Sequence, residues 1–80
     1  MSAVTETTSL LNLEQGHKGR ITAICGDQRM QRRMLSLGLR VGTVVNVLNH
    51  RGRGVVVGNA GTRVALGSSV AEKLIVETLA

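Results

Sequence analysis

Apolar residues recur along this chain at two spacings. From Thr43 onward they come in short, β-branched runs, "TVVNVLN", "GVVVG", "TRVAL" and "KLIVETL", each bounded by Gly, Asn or Ser. Runs of that length and composition predict strands joined by tight turns. Between Gln28 and Leu37 the spacing changes: Met30, Met34 and Leu37 fall at i, i+4 and i+7, one stripe of an amphipathic helix. Asp27 stands ahead of it as an N-cap, whose carboxylate accepts from the free N–H groups of the first turn. Gly38 stands behind it as the left-handed residue that ends a helix, with Leu39 placed to fold back onto Met34.

Upstream, "HKGRITAICG" from His17 reads as a strand, with Ile21, Ala23 and Cys25 on one inward face and Gly19 marking a bulge or a close approach. Leu10, Leu11 and Leu13 form an apolar knot closed by Gly16. "GNAG", Gly58 to Gly61, carries the residues of a tight hairpin. "SSVAEK" reads as one helical turn capped by Ser68 or Ser69. The first nine residues, 1–9, read as a flexible tail and 10–80 as a single domain. The sum is a mainly β fold, a small SH3-like barrel of about five short strands with one α-helix inserted after the first strand. Closure of such a sheet removes exposed edges.

Composition sharpens this picture. The 80 residues include no Phe, Tyr or Trp, so the core is built from aliphatic side chains and methionine, which suit a narrow barrel. Cys25 is the single cysteine and has no internal disulfide partner. The first residues lack the pattern of a secretory leader, and no apolar run approaches the roughly 20 residues that span a bilayer. A cytoplasmic protein is expected.

Charge points to a partner. Ten Lys and Arg against five Asp and Glu give a formal charge of +5, and eight of the ten cations are arginine. Arg29, Arg32 and Arg33 lie on the helix with no acid between Gln28 and Gly38. Arg29 and Arg33 form a like-charge i, i+4 pair, and Arg29 sits where the helix dipole disfavours a cation. Local stability does not select that pattern; an acidic partner surface does, and a solvated basic face is the alternative reading. Arg51 and Arg53, between two strands, either extend the basic patch or keep a hairpin tip soluble.

The chemistry-bearing residues argue against catalysis. No Gly-rich loop ends in Lys-Ser or Lys-Thr, and "GRGVVVG" lacks the strand–loop–helix context of a phosphate cradle. The acids Glu14, Asp27, Glu72 and Glu77 are scattered. No enzyme activity and no cofactor are expected. His17, Cys25 and His50 are the strongest metal-ligand types, but their spacing matches no ligand motif. No metal site is assigned to them; transition-metal binding stays open only as an alternative.

Three segments carry a family resemblance: "GHKGRITAICG", "RMLSLGLRVGTVVNV" and "VALGSSVAEKLIV". Together they resemble FeoA, the small cytoplasmic protein family of bacterial ferrous-iron uptake, over roughly Leu10 to Leu79. Val41 stands where the family commonly has a proline, which leaves the turn before Gly42 less restrained. The same module is similar to the C-terminal domain of iron-dependent repressors. The resemblance implies an SH3-like barrel that works with the FeoB permease, docking on its cytoplasmic GTP-binding domain. On this reading the partner-binding residues are Arg29, Arg32, Arg33, Arg51 and Arg53.

The competing reading is a nucleic-acid-binding SH3-like barrel, suggested by the positive charge and by "GHKGRI", which is similar to a turn of ribosomal-type barrels. The missing aromatic residues weigh against it, since single-stranded nucleic acid is held largely by bases stacking on such rings.

Overall fold

The computed structural model describes residues 7–79. Six strands, β1 (Thr7–Ser9), β2 (Lys18–Ile24), β3 (Val44–Arg51), β4 (Gly54–Asn59), β5 (Thr62–Gly67) and β6 (Leu74–Leu79), form one antiparallel sheet. Their order is β1-β6-β2-β3-β4-β5. Helix α1 (Gln28–Ser36) links β2 to β3, and a single turn, α2 (Ser68–Ala71), links β5 to β6. The mainly β architecture is the one the strand and helix spacings predict; the helix follows the expected first strand, Lys18–Ile24, which is the second of six because β1 precedes it.

One face of the sheet supplies the core. Ile21, Val45, Val47, Val55, Val57, Val64, Leu66, Leu74 and Val76 alternate along their strands and are buried. A 3-10 turn at Leu10–Asn12 adds Leu10 and Leu13, α1 adds Met34, the following loop adds Leu39, and α2 adds Ala71. The turn α2 packs on β4, β5 and the 3-10 turn, so it closes one end of the core. Gly19 lies where β2 runs close under its neighbours: a Cβ there would stand 3.0 Å from both Leu13 and Val76.

Four local expectations need correction. Thr7, Thr8 and Ser9 belong to a strand, β1, paired with Ile75 to Glu77, rather than to a tail. Their extended backbone is held by β6 on one side and anchored by fully buried Leu10 on the other; residues 1–6 of that expected tail lie outside the described residues. Ala23 and Cys25 do not share the inward face of Ile21. A β-bulge between Ile21 and Ala23 inserts Thr22 as an extra residue, which shifts the alternation by one position. Ile24 therefore packs against the core, while Ala23 and the Cys25 thiol are exposed.

Leu37 does not continue the buried stripe of α1 but sits at its C-cap, exposed, because Leu39 takes the core position beyond the reversal. At α2 the N-cap is Gly67, with no side-chain cap; Ser68 is already the first helical residue.

Candidate partner-binding surface

Helix α1 owes its position to local chemistry at both ends. The Asp27 carboxylate accepts from the Met30 N–H at 3.0 Å, satisfying one free donor of the first turn. The Gln31 side-chain amide donates to the Ile24 carbonyl at 2.6 Å and ties the helix back to β2. At the far end Gly38 has φ +80°, and the Gly38 and Leu39 N–H groups donate to Leu35 and Met34 carbonyls at 3.0 and 2.8 Å. That is a Schellman motif, which reverses the chain and drops Leu39 beside Met34 in the core.

With Met34 buried and Met30 packed against the core, the opposite face of α1 is left to Arg29, Arg32 and Arg33, all exposed. Among the described residues none of the three pairs with a carboxylate. The arginine that does pair is Arg20, directly opposite Glu77 in the register of β2 and β6, at 3.0 Å. An ion pair on the sheet neutralises that charge, whereas the helix keeps three uncompensated guanidinium groups within two turns.

Arg51 and Arg53 are also exposed, at the β3–β4 hairpin tip. They do not stand on the helix. The link between α1 and this hairpin is at the other end of β4, where the Asn59 side-chain amide donates to the Gly38 carbonyl at 3.1 Å. Five residue steps of strand, about 17 Å, separate that link from the tip. The five arginines thus form two groups, one on a helix face and one on a hairpin tip.

Sequence reasoning passed over the apolar part of this surface. Leu35 is 57% exposed and Val41 61%, and Leu37, Val44 and Leu48 are exposed as well. They cluster in sequence around the end of α1 and the outward positions of β3. A signal was present: β3 carries Val44 and Leu48 on the face opposite Val45 and Val47, so both of its faces are partly apolar. Arg40 and Arg63 are exposed as well and add further positive charge.

The residues weighed for metal binding each have other surroundings. His50 Nε2 lies 2.8 Å from the Leu13 carbonyl, a hydrogen bond that requires the proton on that nitrogen. His17 stands 4.0 Å from Glu14 at the start of β2, and Cys25 lies just past the end of that strand. Among the described residues no three His, Cys, Asp or Glu side chains come together as a metal cage would need. No helix among them is long and apolar enough to cross a membrane.

Comparison with known structures places this geometry. The chain superposes with a TM-score of 0.86 on the crystal structure of an iron uptake regulatory protein, FeoA, at 27% identity, over 92% of this chain and 99% of that one. A FeoA protein from Chlorobium tepidum gives a TM-score of 0.83 at 27% identity, covering 91% of this chain and 71% of that one. A manganese-dependent transcriptional repressor contains the same fold as part of a longer chain: TM-score 0.87, 25% identity, 95% of this chain but 43% of the repressor. No curated protein sequence matches closely enough to extend the comparison. The model of the FeoA domain matches residues 8–78, nearly the whole described chain, and this protein belongs to the FeoA domain family.

Proposed function

We propose that this protein is an accessory component of bacterial ferrous-iron uptake, acting in the cytoplasm by docking on the GTP-binding domain of a FeoB permease. The observation that carries this reading is the exposed face of α1, where Arg29, Arg32 and Arg33 have no carboxylate partner among the described residues. Membership of the FeoA domain family supplies the biological setting. Three cations on a rigid, capped helix steer an acidic surface into register and gain most when that surface excludes water from them. Arg51 and Arg53 contribute a second, more peripheral contact at the hairpin tip. The effect on the permease is conformational: the chain supplies a shaped, charged surface and leaves nucleotide chemistry to its partner.

The test is binding of this protein to the purified cytoplasmic domain of its cognate permease, with and without guanine nucleotide. Arg32→Glu combined with Arg33→Glu is expected to weaken saturable binding at least tenfold, about 1.4 kcal/mol, with the far-UV spectrum unchanged. Equal affinity of the variant removes α1 from the interface. Absence of binding together with tight, salt-sensitive RNA binding replaces this reading with the nucleic-acid one.

A further inference from the structure

The outer face of β3, β4 and β5 carries a groove of about 250 Å³ lined by Asn46 and Leu48 of β3, Gly58 and Asn59 of β4, and Thr62 and Arg63 of β5. Its floor exists because Gly58 has no side chain. Nothing else in the fold asks for glycine at that position. Its φ is outside the left-handed region, and a Cβ would meet only the end of the Leu48 side chain, at 3.4 Å. Glycine inside a strand weakens it and marks places where another group approaches closely. Leu48 is the extra residue of a second β-bulge, between Val47 and Asn49, and it lies beside Gly58 with 37% of its surface exposed. Bulges re-aim side chains next to binding sites.

We infer that this groove is an anchor pocket for a single aliphatic side chain flanked by a carboxylate, on an extended acidic segment of the partner. The volume lies below that of sites for drug-sized molecules and accommodates one aliphatic side chain. Leu48 and the Gly58 backbone receive that side chain. Arg63, exposed and without a carboxylate partner among the described residues, pairs with the acid beside it. The Asn46 and Thr62 side chains complete a polar rim. The groove is joined to the end of the basic helix, because Asn59 in its wall donates to the carbonyl of Gly38, the residue that follows Leu37. One partner therefore reaches both. The acidic character of that partner rests on the reading of α1 given above, while the groove rests on Gly58, Leu48 and Arg63.

Two measurements separate them. In the first, ¹⁵N-labelled protein is titrated with a capped peptide carrying one leucine between aspartates, and with the same peptide carrying serine for leucine. Saturable shifts at the Leu48, Gly58, Thr62 and Arg63 amides are expected with the leucine peptide. They should be lost in Gly58→Val, which fills the groove with a good strand former, and weakened at least fivefold in Arg63→Glu. Shifts confined to α1, equal response to the serine peptide, or no saturable shift at these four amides up to the solubility of the peptide overturns the proposal. In the second, the permease domain is titrated against Gly58→Val. Binding lost in Arg32→Glu/Arg33→Glu but kept in Gly58→Val sinks the groove and leaves the helix reading standing. No domain binding with groove shifts from the peptide does the reverse.

Discussion

The Asn59 side-chain amide donates to the Gly38 carbonyl at 3.1 Å, so the last residue of β4 holds the residue that terminates α1. Two elements 21 positions apart in sequence are fixed to each other by one bond. Replacing Asn59 with Ala should lower stability by about 0.5–1.5 kcal/mol. Faster hydrogen exchange should appear at the Gly38 and Leu39 amides, ahead of the core strands. A loss of stability spread evenly over all amides would mean that the bond does not hold the helix end.

The β4–β5 hairpin turns through Ala60 and Gly61, with φ of +50° and +83°. Both central residues are left-handed, as a type I′ turn demands, yet Ala60 carries a Cβ that disfavours that region. Ala60→Asn should therefore stabilise the fold by about 0.5–1 kcal/mol. A urea midpoint that stays put or falls would refute this account of the turn.

Gly54 and Gly58 sit on the same strand and should respond in opposite directions to alanine. At Gly54 a Cβ would stand 2.6 Å from the Leu66 carbonyl oxygen, a backbone atom that cannot swing aside. Gly54→Ala should cost about 1–3 kcal/mol. At Gly58 the nearest atom is a mobile side-chain methyl, so Gly58→Ala should be neutral or gain up to about 1 kcal/mol. Equal effects would show that the strand adjusts its path rather than meeting a fixed obstacle.

Arg29→Glu separates stability from binding. The new acid lies in the first turn of α1, where the dipole favours it, and faces Arg33 one turn on. The helix should gain about 0.5 kcal/mol, while affinity for the proposed permease partner should fall. A variant both less stable and unaffected in binding would contradict the reading of α1 as an interface.

Cys25 emerges past the bulge with its thiol exposed. A maleimide should label it in the native protein at nearly the rate seen in denaturant. Protection that is lifted only on unfolding would return the thiol to the core.

What could be read from the chain was what local chemistry decides. Asp27 and Gly38 mark the two ends of α1 because a cap needs a side-chain acceptor and a reversal needs a left-handed residue, both properties of single residues. The basic face of α1 was legible for the same reason. The bulge at Thr22 was not: whether one strand carries an extra residue depends on the partner strand, 53 positions away at Ile75. Strand β1 was hidden because three residues take an extended path only once β6 is there to pair with. The groove eluded sequence reading because Leu48, Gly58 and Arg63 come from three strands and meet only when their registers are set.

The aliphatic core has one further consequence, for how this molecule can be watched. A chain without Trp, Tyr or Phe is dark in the near ultraviolet, folded or unfolded. In a titration against the proposed permease domain, every change in aromatic fluorescence would originate in that domain. This protein would be a silent ligand, and a spectral shift would record only how the domain responds to being held.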